Sequence, residues 1–430
     1  MRVALWFLAL FGVAVAVALM AGNNQGTITV FWPPYRVDLS LNLVVLLLAG
    51  VFFVLHVALR ALAALFAIPA EARRWRLQHR ERAMLVALLD AMSHLVAGRF
   101  IRSRKAAELV LLQEDMIERS GENLVYAARL RALTHLLAAE GAQALQDKAS
   151  RSRHFNLALE SASQRDAQEA RDGLQLRAAH WALTDRDAQA ALKWLDDMPQ
   201  GAGRRTLAMR LRLKAARLAG RTLLALETAR LLAKHRAFSE AAALGVLRGL
   251  ALELIAGTHD TAQLTVVWNQ LDAFERSIPE VATGAANRLL TLNGTVDTAR
   301  QWLLPVWERM VQTPGALSEG QMVELIRVLE RGFENAAGAP DVAWLTRIES
   351  AQQANPREAL LQYLAGIACQ QLQLWGKARQ MLRSALPRLH DPQLQRKAWC
   401  ILAEMAQAQD DDEGAADAWR NAAKGQPHTS

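Results

Sequence analysis

The chain has 430 residues, is 52% hydrophobic and carries a net charge of +8. That length exceeds one compact core, so several domains or an elongated repeat are expected. Its only cysteines, Cys369 and Cys400, lie far apart; they exclude a disulfide framework and read as small buried hydrophobes in helices.

From the N-terminus, Val3–Ala21 is an uncharged apolar run. It is just long enough for a membrane span, which needs about 20 residues. Ala16-Val17-Ala18 has the small-residue spacing of a signal-peptide cleavage site, but Arg2 alone charges the segment before it and a second apolar run follows at once. Between the runs stands "TITVFWPPYRVDLS", Thr27–Ser40. Apolar and polar residues alternate on both sides of Pro33-Pro34, the pattern of two short strands about a turn. The alternative is a link without regular structure.

The second run starts at Leu41 and is read as a span to about residue 66, with Asn42 at its start and His56 and Arg60 toward its end; Arg60 can snorkel to the headgroups. Pro69 is expected to end this helix. Residues 69–82, "PAEARRWRLQHRER", then form a basic juxtamembrane helix with Arg73, Arg74, Arg76, Arg80 and Arg82 as its cluster and Trp75 near the headgroups. The basic excess is local, which favours an anionic membrane surface over nucleic acid. In the 22–40 loop Arg36 is offset by Asp38, whereas arginines crowd the segment after the second run. The positive-inside rule therefore faces the loop outward and both termini toward the cytoplasm.

Residues 83–425 read as about eight to nine helix pairs. The last unit is the clearest. Trp399, Leu402, Ala403, Ala406, Ala415, Trp419, Ala422 and Pro427 fall on the spacing of a 34-residue tetratricopeptide (TPR) unit. Small residues there let two helices approach, and the large ones fill the groove between them. Trp399, Ala403, Ala415, Trp419 and Ala422 are therefore assigned to repeat packing. The preceding unit is degenerate, with Gly366, Cys369, Trp375, Ala378, Leu382 and Ala385 in place and Gln362 where a large apolar residue belongs. A turn residue followed five positions later by Ala recurs at Asp185–Ala190, Gly220–Ala225, Gly257–Ala262, Gly294–Ala299, Gly338–Ala343, Gln373–Ala378 and Asp410–Ala415. The loop Thr313–Gly320 accounts for the one long step. Earlier units are placed at Ala83–Glu114 and from Asn123 onward, and residues 426–430 form a tail.

No P-loop, GxGxxG, HExxH, GxSxG or CxxC motif occurs. Gly201–Arg204, "GAGR", reads as a loop, and Asp410–Glu413 as a solvated turn before a helix. Trp181 and Trp194 also fall on packing positions; His180 is a weak candidate for ligand contact. No catalytic, cofactor-binding or metal-binding residue is assigned, and the chain is not read as an enzyme.

Two spans, a basic exit and degenerate repeats, in that order, resemble the HemY family of proteobacterial inner-membrane proteins. "NQGTITV…YRVDLSL" (Gln25, Gly26, Tyr35, Val37, Ser40) looks like that family's inter-span loop, and "LVAGRF…AAEL" (Gly98, Arg99, Ala106, Ala107) like its first repeat. The resemblance implies an association with late haem biosynthesis and names no catalytic residue. The expected fold is all-α: two N-terminal transmembrane helices joined by a short periplasmic loop or β-hairpin, then a TPR-like helical solenoid in the cytoplasm. The expected function is a scaffold on the bacterial inner membrane for late haem-pathway enzymes, touching lipid and protein but no nucleic acid. Direct haem or porphyrin carriage, and a general envelope-assembly scaffold, are the alternatives.

Overall fold

The computed structural model describes residues 2–22, 26–122, 124–163, 167–334 and 342–424. The chain divides into two units, Met1–Leu174 and Gln175–Ser430.

The first unit opens with helix α1 (Arg2–Gly22) and an antiparallel hairpin of β1 (Thr27–Trp32) and β2 (Tyr35–Ser40). The alternation predicted this hairpin. Its turn is Pro33–Pro34, joined by a cis peptide bond. No residue separates β2 from helix α2 (Leu41–Val96), because Ser40 is both the last strand residue and the cap: its Oγ accepts from the Leu43 N–H at 3.3 Å. Helices α3 (Phe100–Arg119), α4 (Ala127–Ala144) and α5 (Lys148–Ser161) follow in this unit. Met84 and Ala87 of α2, Val110 and Ile117 of α3, and Leu130 of α4 form one core cluster. Ala91, Ala107 and Ala138 form a second, where the three helices meet through small side chains.

Helix α2 corrects two expectations. Pro69 does not end it, and residues 69–82 are not a separate helix; 56 residues run unbroken, about 84 Å at 1.5 Å per residue. Proline's fixed φ is itself helical, so it costs a hydrogen bond and some crowding without forbidding the fold. The helix ends instead at Gly98, whose φ of 70° is left-handed.

Helix α6 (Gln168–Thr184) crosses the division between the units. The second unit continues through α7 (Ala188–Asp196), α8 (Gln200–Gly203), α9 (Thr206–Leu218), α10 (Thr222–Lys234), α11 (Glu240–Ala256), α12 (Thr261–Gln270), α13 (Ala273–Arg276), α14 (Pro279–Thr291) and α15 (Val296–Gln312). It closes with α16 (Glu319–Glu334), α17 (Val342–Ala354), α18 (Ala359–Gln371), α19 (Trp375–Ala385), α20 (Pro392–Gln407) and α21 (Asp412–Lys424). With α8 and α13 as short extras, the helices after the hairpin fall into nine successive pairs among the described residues. The Gly201–Arg204 segment, expected as a loop, lies largely in α8. The chain from Thr313 does form a loop, but helix resumes at Glu319.

The turn inside most pairs has one construction. The residue after the helix turns left-handed, and the N–H one further on reaches back to a carbonyl five residues earlier. Arg99 donates to the His94 carbonyl, Asp147 to Ala142, Asp187 to Ala182, Arg221 to Ala216, Gly294 to Leu289, Leu374 to Cys369 and Asp411 to Ala406, at 2.8 to 3.0 Å. In these seven turns the residues with positive φ are Gly98, Gln146, Arg186, Gly220, Asn293, Gln373 and Asp410. Hence the turn-to-alanine marker is right at Gly220–Ala225, Gln373–Ala378 and Asp410–Ala415, whose alanines are buried. At Asp185–Ala190 it is one residue early, since Arg186 makes the turn and Ala191 is buried. At Gly294–Ala299 the alanine is buried but Asn293 makes the turn. Gly257–Ala262 fails: Gly257 has a right-handed φ of −75° and Ala262 is exposed, while Leu264 is buried. Gly338 and Asn123 lie outside the described residues, and Ala343 is exposed.

Candidate functional site

The segment Leu41–Ala63 of α2 has a mean hydropathy of 2.5, and none of it is buried within the protein. Leu46, Phe52, Phe53 and Val54 are exposed on all sides of the helix. A helix apolar all round needs an apolar surround. Among the described residues it is the one helix segment long and apolar enough to cross a membrane; within α1 the described apolar stretch is Leu8–Leu19.

Of the expected basic cluster, Arg74, Arg76 and Arg82 are exposed. Arg73 lies on the same helix, but its side chain is outside the described set. Arg80 is half-buried, and its Nη1 donates to the Met116 carbonyl of α3 at 3.3 Å. Arg76 Nε donates to the Ala72 carbonyl, and Trp75 is exposed and stacked on His79, 5.4 Å between centroids. Arg76, Leu77, Arg80, Ser120 and Glu122 line a hollow of about 420 Å³. Arg80 thus fastens α2 to α3, while Arg74, Arg76 and Arg82 stay turned to solvent.

The residues assigned to repeat packing sit as follows. Ala403, Ala415 and Ala422 are buried, and Trp399 is half-buried against the core. Trp419 keeps 39% exposure among the described residues. Trp181 is buried and Trp194 half-buried. Cys369 is buried and burial raises its thiol pKa, while Cys400 is half-buried. His180 is exposed. In the Asp410–Glu413 run, Asp410 makes the left-handed turn and Asp411 Oδ1 accepts the Gly414 N–H at 2.9 Å.

Several polar ties between successive pairs were not read from the sequence. Glu275 of α13 is fully buried, and Arg230 of α10 clamps it with Nε–Oε1 at 2.8 Å and Nη2–Oε2 at 2.6 Å. Hydrogen bonding to Glu275 raises the Arg230 pKa further. The signal available was "DAFE": the Asp272 side chain accepts from the Glu275 N–H, and the Glu275 side chain from the Asp272 N–H. Buried Glu330 of α16 accepts the Tyr363 hydroxyl of α18 at 2.7 Å and the Lys397 ammonium of α20 at 2.9 Å. Arg327 of α16 holds both oxygens of Asp391, at 3.0 and 2.9 Å, and Asp391 also caps α20. These ties stitch three pairs together.

In the first unit His135 of α4 and His154 of α5 face each other, Nδ1 to Nδ1 at 3.1 Å. Burial, then the His154 ring and Arg131, lower the His135 pKa to about 4; burial and Arg153 lower that of His154. Both rings are neutral at pH 7, so one Nδ1–H donates to the other Nδ1. Glu114 is buried beside Arg131, 3.2 Å away; burial raises its pKa and Arg131 opposes this. No three His, Cys, Asp or Glu side chains gather as a metal site among the described residues. A cavity of about 310 Å³ between α15 and α17 is lined by Leu304, Trp307, Val311 and Ala351 with Glu308 and Arg347.

Residues 26–146 match the family described as HemY protein N-terminus. No curated protein matches the chain. Among solved structures it is similar to the APC/C hetero-tetramer Cut9–Hcn1, at 13% identity over 80% of this chain and 66% of that one, TM-score 0.27. It is also similar to Naa15/Naa10 bound to HypK-THB, at 12% identity over 78% and 57%, TM-score 0.23. The P58(IPK) TPR domain is a third, at 15% identity over 80% and 99%, TM-score 0.21. The chain spans less than two thirds of the length of the first two.

Proposed function

We propose, from the match of residues 26–146 to the family described as HemY protein N-terminus, that the chain is an inner-membrane-anchored repeat scaffold that organises or regulates late haem (porphyrin) biosynthesis enzymes through protein–protein contacts. The observation that carries this reading is α2, which holds a lipid-ready segment at one end and the core residues Met84, Ala87 and Ala91 of the first repeat at the other. The repeats are therefore held at the bilayer by one helix.

In this reading α1 is a second span, the hairpin lies in the periplasm, and the helix pairs lie in the cytoplasm, where the arginines of α2 belong. The basic cluster then divides by reach. The apolar run of α2 continues by sequence to Ile68. At 1.5 Å per residue Arg73 to Arg76 stand about 8 to 12 Å past it, and Arg80 and Arg82 about 18 to 21 Å. Charges act over about 8 to 10 Å at physiological salt, so positions 73 and 74 stand within reach of anionic lipid and Arg76 at its margin. Arg80 serves the protein instead, through its bond to α3.

Affinity capture of the full chain from detergent-solubilised membranes is the test. Late haem-pathway enzymes should be enriched over a control bearing only residues 1–68, and a capture without any of them would refute the scaffold role. A periplasm-active reporter fused to the C-terminus should be silent; activity would overturn the topology.

A further inference from the structure

The hairpin between α1 and α2 has two unlike faces. Side chains alternate along a strand, and directly paired residues share a face. The register pairs Ile28 with Leu39, Val30 with Val37 and Trp32 with Tyr35. These six form one largely apolar face that carries no charge, with the amphipathic Trp32 and Tyr35 at its tip. The other face holds the pairs Thr27–Ser40, Thr29–Asp38 and Phe31–Arg36. Its polar groups satisfy one another: Thr29 Oγ1 donates to Asp38 Oδ1 at 2.6 Å, Arg36 Nε lies 3.4 Å from the same oxygen, and the guanidinium sits over the Phe31 ring. Among the described residues nothing covers the apolar face at its tip, where Trp32 is 74% and Tyr35 72% exposed. A lone two-stranded hairpin is marginal in water.

We propose that this apolar face docks on the bilayer at the headgroup–acyl boundary and so sets the depth of α2. The proposal rests on the membrane reading of α2. Continuity carries it first. Ser40 caps α2 without an intervening residue, and the Leu41 N–H donates to the Gly26 carbonyl at 2.8 Å, so the base of the hairpin is tied to the start of the apolar segment. Reach carries it next. Six-residue strands extend about 20 Å, whereas the headgroup layer is about 5 to 7 Å thick on each side. An upright hairpin would lift Trp32 and Tyr35 clear of the lipid. A recumbent one lays all six apolar residues on the boundary, with its aromatics in the zone that favours them, and leaves Arg36 and Asp38 in water.

The full chain in lipid nanodiscs, with Cys369→Ala and Cys400→Ala, allows the test. A fluorophore is attached through Trp32→Cys, Thr29→Cys or Leu47→Cys, and quenching by brominated lipid is compared with quenching by aqueous iodide. Position 32 should be quenched by lipid about threefold more than position 29, as for a face seated some 5 to 10 Å into the boundary. Position 47 should be quenched strongly as the span control. Equal quenching at 32 and 29 with 47 quenched overturns the docking and leaves the span standing. Shielding of 32 from iodide without lipid quenching means a protein occupant and also overturns it. Loss of quenching at 47 overturns the membrane reading itself.

Discussion

At the end of α6 it is Arg186, with φ of 60°, that turns left-handed. An L side chain strains there and glycine does not. Arg186→Gly should therefore stabilise the protein by about 0.5–1 kcal/mol, seen as a raised urea midpoint in a detergent-solubilised sample. The buried clamp points the other way. Arg230→Ala strands the Glu275 carboxylate in the core and should cost about 3 kcal/mol or more; joint replacement by Arg230→Met and Glu275→Leu should recover most of that loss. The histidine pair makes the first unit sensitive to acid. His135 titrates at about 4 in the folded chain, below its ordinary 6.5. Between these values the unfolded chain binds the extra proton, so stability is full above about pH 6.5 and falls as the pH drops toward 4. The charged groups around the pair are Arg104, Glu108, Arg131, Asp147 and Arg153. His135→Gln should flatten the decline of the urea midpoint over that range.

At the scale of elements, helix contacts depend on a few small residues. A Cβ on Gly366 of α18 would lie 2.7 Å from Leu382 Cγ and 3.3 Å from its backbone nitrogen. Gly366→Ala should push α18 from α19 and cost about 1–3 kcal/mol, measured by the same urea titration. The same scale shows what the sequence can and cannot disclose. The hairpin was readable because alternation is local. Gly98 and Gly220 announced their turns, but nothing in the chemistry of Gln146 or Arg186 marks a left-handed residue. Ser103 hid a repeat position: fully buried, it occupies the place that Ala225 and Ala378 take later, and its hydroxyl donates to the Ala91 carbonyl at 2.8 Å. Pro69 misled because a local penalty was outweighed by the helix on either side. The Arg230–Glu275 clamp joins residues 45 apart, which no local pattern encodes.

Across the whole molecule, the anchor and the first repeat cannot be separated at Val96. Met84, Ala87 and Ala91 of α2 are buried against α3 and α4. A fragment beginning at residue 70 should remain monomeric by light scattering. One beginning at residue 97 should aggregate, because Val110, Ile117 and Leu130 lose their cover.

An unbroken α2 is also a lever. From Ala63 to Val96 the helix extends about 50 Å. A 10° change in the tilt of its membrane segment would swing the Val96 end sideways by about 9 Å, given a rigid rod of that length. In the membrane reading proposed above, a change in bilayer thickness that alters this tilt would thereby change the distance between the first repeats and any membrane-bound neighbour.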